Sequence, residues 1–523
     1  MDNMLRGSFP ARIGSAFARA WKGCILSKAF GAIGELWHKS TSRRVIHRFL
    51  YVPSTLVYSK FYKIFNWFNG VMFSLGEKLR PCVDNSRIFR MASSFSSSEF
   101  VEKSAILSGI KKLGMRGVLL VAFAMYLPLD VLIRDVIGIA ALSSIWDEAF
   151  LVFCVMYILW DMVIIRRDRV KPSITPLDGS IIFFICAGLL IMAIVSPKLS
   201  RAIAGYRAVC QFMLWFFVLT RLLRSERDVK ILYFSVCIMA VCIAFHSIYQ
   251  YVVGVEIPST WVAASEMGVR TRAFSITGSP NILGSLMVLC APMLAARIYY
   301  VKPLWLKVVM WGLTIVMCLA TLVTFSRGAW FGLAIAVFLF GLIVDRKILV
   351  LAILGAGGLI MFVPEISNRI TFLFTSDFAA ANSAGGRAQR WSMGWTLLRT
   401  NPVFGFGLGR FGGAIAMQNQ VIEGLDYFYM DNYYMKTLVE MGYAGLVSYI
   451  YLLFNNLLWS ARGMFKTRKN PMSLLSRGMF CGMMGVLAHS FFENIFEVPY
   501  MNAYFWGFAA VIMCVGFLRR KAV

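Results

Sequence analysis

The two longest polar stretches between apolar runs, residues 254–280 and 364–433, contain no cysteine. All eleven cysteines lie in apolar runs or within the first 115 residues. Neither a disulfide framework nor a zinc-ligand spacing is therefore present. Residues 1–20 lack a long apolar core, so no cleavable signal peptide is expected. No repeat recurs at a fixed period. Charge is sparse at 15% of residues, and acids are the scarcer sign, 26 Asp and Glu against 53 Lys and Arg. The net +27 is not accompanied by any nucleic-acid-binding motif, and no nucleic-acid partner or cofactor is expected.

What the chain has in abundance is apolar surface. It is 59% hydrophobic with a mean hydropathy of +0.68, beyond the apolar share of a soluble domain. At about 20 apolar residues per span, we read twelve runs: 117–133, 148–165, 181–195, 205–220, 231–253, 281–299, 307–324, 328–344, 348–363, 434–458, 476–492 and 503–518. Residues 134–147 offer a re-entrant piece beside the first, and the turn at 325–328 is very tight. The expected fold is an all-α polytopic membrane protein of about 12 transmembrane helices. Lys and Arg gather in "RRDRVK" (166–171), "RLLRSERDVK" (221–230), "VKPLWLK" (301–307), "DRK" (345–347), "ARGMFKTRKN" (461–470) and "RRK" (519–521). The positive-inside bias then puts both termini in the cytoplasm and loops 254–280 and 364–433 outside. The basic edges would lie beside anionic lipid, and a plasma membrane is the expected location.

Residues 1–115 stand apart from the expected membrane domain, 116–523. They hold 18 Lys and Arg against 6 Asp and Glu, with aromatics interleaved as in "RFLYVPSTLVYSKFYKIFNWFNGVMF". This reads as basic amphipathic helices on the inner leaflet, the alternative being a disordered basic tail. A polar linker, "MASSFSSSEF" (91–100), follows. Loop 364–433 carries five arginines, at 369, 387, 390, 399 and 410, and five acids, at 365, 377, 423, 426 and 431. Its aromatics suit a packed, partly helical cover rather than a slack connection.

On this topology the polar residues converge on one side. "RTRAFSITGSPNILG" (270–284) enters the sixth run from outside. "TFSRGAWFG" (324–332) is an outer turn. "GGRAQRWSMGWTLLRTNPVFGFGLGRF" (385–411) lies in the long loop. "DNYYMKTLVEMGYAGL" (431–446) opens the tenth run, and "HSFFENIFEVPYMN" (489–502) joins the last two. Arginines at membrane depth are costly unless paired or occupied, and their planar forks suit phosphate oxygens. A nearby carboxylate can take a proton from a hydroxyl. Arg272, Arg327 and Asp431 are the candidate catalytic residues. Arg387, Arg390, Asn281, Ser326 and Asn432 are candidates for substrate binding, and no residue is a candidate metal ligand.

Several of these polar residues have a plainer reading. Arg327 suits an interfacial anchor and Arg272 a snorkelling loop residue. Asp431 suits a helix N-cap, with Asn432 in the first turn. Lys436 and Glu440, four apart, suit a self-neutralising pair. His246 and His489 suit hydrogen-bonded packing, His489 lying near Glu493 at the outer face.

At these motifs the chain resembles the O-antigen ligase and O-antigen polymerase superfamily of envelope glycosyltransferases, over about residues 178–518. The resemblance rests on four patterns in order. They are an Arg followed by "GSPNILG", then "TFSRGAWFG", then "GR…W…NPVFGFGLGRF", then Asp431-Asn432 followed after nine residues by Gly442 and Gly445. It implies a helical membrane domain with a cavity opening to the outer leaflet. It further implies transfer of a glycan from an undecaprenyl-diphosphate carrier to an acceptor glycan hydroxyl without a metal. The family's diphosphate-binding arginines fall on Arg272 and Arg327, with Arg387 a weaker match. Ligases that attach O-antigen to the lipid A core carry His-Asn where this chain has Asp431-Asn432. The Asp-Asn pair is more similar to polymerases, including the teichuronic-acid type. The expected activity is polymerisation of lipid-linked repeat units. The alternatives are a ligase for finished glycan, or a flippase of the same lipid-linked sugar. Against the flippase, transporters gather polar groups near the midplane, whereas here they gather at one face.

Overall fold

The computed structural model describes residues 60–87, 91, 102–166, 174–195, 198–258, 271–376, 386–419, 429–466 and 471–518. Most of the basic N-terminal zone and of its linker lies outside the described residues. So do Asp377, Glu423, Asp426 and most of the basic loops 166–171 and 467–470.

Among the described residues the protein is helical, with no strand. Helix α1 (Lys60–Asp84) precedes the membrane region. Then come α2 (Ala105–Ala124), α3 (Tyr126–Val131), α4 (Ala140–Trp160), α5 (Asp178–Val195), α6 (Leu199–Cys210), α7 (Leu214–Leu222) and α8 (Glu226–Val253). The second half holds α9 (Pro280–Ile298), α10 (Leu304–Leu322), α11 (Arg327–Ile343), α12 (Lys347–Phe362), α13 (Pro364–Thr371) and the loop helices α14 (Arg387–Leu398) and α15 (Ala414–Asn419). It closes with α16 (Tyr433–Lys466), α17 (Met472–His489) and α18 (Pro499–Phe517).

Eight helical segments among the described residues are long and apolar enough to cross a membrane, or ten if two bent pairs each count as one. Helix α2 turns by 73° into α3, and α12 by 95° into α13. Every one of the twelve apolar runs falls on a helix, but α11, with 17 residues, and α17 are not among the eight to ten. Helix α11 is apolar but short, whereas the shortfall of α17 has a packing cause. Helix α17 is buried along most of its length, and it meets protein rather than lipid. A side chain at Gly478 would strike the Pro292 carbonyl, one at Gly482 the Leu289 carbonyl, and one at Gly485 the Gly332 carbonyl. Small residues let α9, α11 and α17 approach backbone to backbone, and that lowers the apolarity of the sequence. Helix α18 is equally enclosed, with Trp506, Tyr504 and Phe505 at 0–1% exposure.

Broken backbone inside a membrane protein must find internal partners. At the α2–α3 bend the Tyr504 hydroxyl donates to Ala124 O (2.9 Å) and accepts from Leu127 N (3.1 Å). Helix α16 is broken at Gly442, whose φ is +66°, the left-handed region that glycine adopts without strain. The turn "NPVFGFG" threads the break. Phe406 N donates to Val439 O (2.8 Å) and Gly407 N to Glu440 O (2.9 Å), while Tyr443 N donates to Pro402 O (2.9 Å) and Ala444 N to Val403 O (3.0 Å). A side chain at Gly405 would collide with Gly442 N. Loop 364–433 is thereby sewn into the helix it precedes.

Candidate functional site

The site grows from two turns and one connection. Where α10 ends, Phe325 takes a φ of +50°, and Ser326 caps α11 by accepting from Ala329 N (3.4 Å). The carbonyls left at that end attract cations. Arg272 Nε donates to Thr324 O (2.9 Å), and Arg369 Nε donates to Phe325 O (2.7 Å). Arg327 opens α11, with its guanidinium 5.8 Å from the Phe372 ring. The second turn, Ser275–Thr277, leads into α9. Gln250 Oε1 accepts from Ser275 N (2.6 Å) and Phe274 N (3.1 Å). His246 Nδ1 lies 2.8 Å from Ser275 Oγ, a packing role as the sequence suggests.

The connection between α17 and α18 is the hub. Glu493, 5% exposed, accepts from its neighbour Asn494 N (2.9 Å) and from Asn281 Nδ2. Asn281 Oδ1 in turn accepts from Arg272 Nη2 (3.2 Å). Phe492 O accepts from Arg387 Nη2 (3.3 Å), Ser490 O from Tyr433 N (2.9 Å), and Asn494 O from the Tyr429 hydroxyl (3.3 Å). His489 Nδ1 lies 2.8 Å from Ser285 Oγ, and its ring fills the space that a side chain at Gly328 would need.

Asp431 faces this hub. Its Oδ2 is 2.8 Å from Arg390 Nη1 and 3.5 Å from Arg387 Nε. Arg390 Nη1 also donates to Tyr429 O (3.1 Å). Burial raises the Asp431 carboxyl above the ordinary aspartate range, and the charges of Arg387 and Arg390 pull it back down. Burial, reinforced by the Asp431 charge, raises Glu493 to about 7, against hydrogen bonds from Asn494 and Asn281 and the charge of Arg387. Two carboxyls thus share one positive field, and Glu493 is the more readily protonated near neutrality.

The eight candidate residues therefore sort by contact. Asp431, Arg387 and Arg390 form one group, and Arg272 with Asn281 a second. Glu493 and Phe492 O link the two. Arg327 and Ser326 stand at the α11 turn whose Thr324 carbonyl Arg272 binds. Asn432 accepts from Met435 N (3.0 Å), so the helix cap is Asn432 and the Asp431 carboxylate is left to the arginines. Lys436 and Glu440 pair at 2.6 Å, both buried, and Glu440 Oε1 also accepts from Phe411 N (3.2 Å). Nothing in the sequence singles out Tyr429, or Arg369 from the other loop arginines, and Glu493 stands out only as a neighbour of His489. An acid in "FFENIFE" between two apolar runs was the available signal.

The class defined by fold and site is a polytopic helical membrane protein with an arginine-rich polar cluster built from its loops and helix ends. Residues 312–450 match the family model described as O-antigen ligase, which supports placing this chain in the O-antigen ligase and polymerase superfamily. That segment contains Ser326, Arg327, Arg387, Arg390, Asp431 and Asn432, and glycan transfer of the ligase or polymerase kind is the activity it supports. Arg272, Asn281 and Glu493 lie outside it and reach the site through the contacts above. No curated protein matches the chain.

Proposed function

We propose that the protein polymerises lipid-linked repeat units of a surface polysaccharide at the outer leaflet of the bacterial cytoplasmic membrane, within a twelve-span topology. Arg272 and Arg327 bind the diphosphate of an undecaprenyl-diphosphate donor, with Arg387 beside them. The acceptor sugar hydroxyl attacks the anomeric carbon, the bond from that carbon to the diphosphate oxygen breaks, and the configuration inverts. The arginines take up the charge developing on the leaving diphosphate, and Asp431 orients the hydroxyl and receives its proton. Ser326, Asn281, Asn432 and Arg390 complete the binding surface, and loop 364–433 covers the site. The observation that carries this reading is the meeting of Asp431, Arg387 and Arg390 at the same hub that holds Arg272 through Asn281.

Ligation of finished glycan is the second reading, favoured by the description of the matching family model. Purified protein supplied with a lipid-diphosphate oligosaccharide tests the reaction. Arg327→Ala and Asp431→Ala should each lower turnover by roughly 10²-fold or more. Full activity in both variants sinks the site assignment. In cells, deletion should abolish long polymer on the carrier, whereas polymer that persists there unattached assigns the ligase.

A further inference from the structure

Helix α1 presents two different faces. On one face it is pinned to the π-helical turn Asp161–Ile165 that ends α4. Arg80 Nε donates to Val163 O (3.0 Å), and Gly76 lies so close to the same carbonyl that a side chain would collide. The opposite face exposes Ile64, Trp67, Val71, Leu75 and Leu79, each at least 41% accessible. Their spacing of three and four makes one stripe, with exposed Lys63 and Lys78 near it. Such a stripe sets the helix at the level where acyl chains meet headgroups.

At that level α1, α4 and α7 enclose a cavity of about 210 Å³. Its walls include Phe65 and Phe68 from α1, Val155 and Leu159 from α4, and Phe217 from α7. Val155 is 42% exposed, so the cavity opens toward the surrounding lipid. Its polar lining is Asn69, Arg166 and Arg221. The Arg221 guanidinium lies near two rings, 6.0 Å from Phe65 and 5.5 Å from Phe217. Positive charge exceeds negative here. Asp161 serves both Arg166 (2.9 Å) and Arg224, Asp178 serves Arg221 (3.6 Å), and Asp228 serves Arg116 (3.5 Å). Helix α1 adds Lys60, Lys63, Lys78 and Arg80 against Glu77 and Asp84, which makes eight cations against five carboxylates.

We propose that this groove is a binding site for an anionic glycerophospholipid, with an acyl chain in the cavity and the phosphate against Arg166 and Arg221. An apolar cavity open to lipid fills with hydrocarbon rather than water. The surplus of cations favours a headgroup with net negative charge over one whose own ammonium cancels its phosphate. The proposal does not depend on the transferase reading.

The test uses the full chain in nanodiscs of phosphatidylcholine, with and without a fraction of phosphatidylglycerol. Lipid retained on detergent release is read by native mass spectrometry, and the thermal midpoint is read alongside. Phosphatidylglycerol should be retained about tenfold or more over phosphatidylcholine and should raise the midpoint. Arg166→Gln with Arg221→Gln should abolish the preference. Val155→Trp fills the cavity without touching any ion pair. It should lose the retained lipid while keeping the wild-type midpoint in detergent. Equal retention of the two lipids, or phosphatidylglycerol retention untouched by Val155→Trp, overturns the proposal.

Discussion

At the scale of single residues, what each polar side chain does depends on who holds its neighbour. Asp431 is next to Asn432 in sequence, yet Asn432 takes the capping bond to Met435 N and Asp431 goes to Arg390 and Arg387. Glu493 is the buried acid of the pair. Its carboxyl rises from an ordinary 4.5 to about 7 on folding, so between those values the folded chain holds a proton that the unfolded chain has released. The sign follows from linkage. The stabilisation is full below about 4.5 and is lost as pH rises through about 7, with an amplitude on the order of 3 kcal/mol. The thermal midpoint of detergent-solubilised protein should therefore fall across that window. Glu493→Gln, which cannot titrate, should remove this component, and an unchanged slope would falsify the assignment. The residue types of the site were legible from sequence, because arginines and acids beside apolar runs are conspicuous. Their partners were not, since Asn281 and Glu493 lie 212 positions apart and meet only when α9 packs on α17.

At the scale of elements, the apolar periodicity located the helices but not their breaks. In the sequence Gly442 figures only in the pattern that follows Asp431-Asn432. In the fold it is the residue where α16 leaves helical geometry and the 402–407 turn supplies the missing hydrogen bonds. Gly442→Ala puts a side chain into the Val403 carbonyl and Gly405 N and adds the left-handed penalty of about 1–2 kcal/mol. It should destabilise the protein by more than about 2 kcal/mol in total, read as a lowered thermal midpoint. Gly355→Ala in α12, where a side chain meets nothing within 4 Å, should be neutral or mildly stabilising by about 0.5–1 kcal/mol. A Gly442→Ala variant as stable as Gly355→Ala would show that the threaded turn does not hold the break. The Lys436–Glu440 pair belongs to this same junction. Spacing alone predicted it, because residues four apart on a helix are neighbours whatever surrounds them. That Phe411 N also reaches Glu440 was set by the loop folding back.

At the scale of the whole molecule, the basic loops predict which side each end of the bundle faces. Ser392, exposed on α14, should react as Ser392→Cys with a membrane-impermeant thiol reagent added to intact cells. Lys302, exposed between α9 and α10, should stay unlabelled as Lys302→Cys until the membrane is opened. The background for both should replace the exposed Cys82, Cys186 and Cys242. Labelling of position 302 from outside would reverse the topology and move the site to the cytoplasmic face. The sequence by itself determined that this is a helical membrane protein whose candidate site residues lie in the loops and helix ends. Hydropathy and charge are summed locally along the chain, and a bilayer acts on those sums directly. Only the tertiary structure decided that α17 is an internal element rather than a lipid-facing one, and that Asn432 caps while Asp431 pairs. It alone joined Arg272 to Glu493 through Asn281. Those outcomes turn on backbone approaches and hydrogen bonds between segments far apart in sequence, and pattern along one chain carries no record of which distant partner arrives.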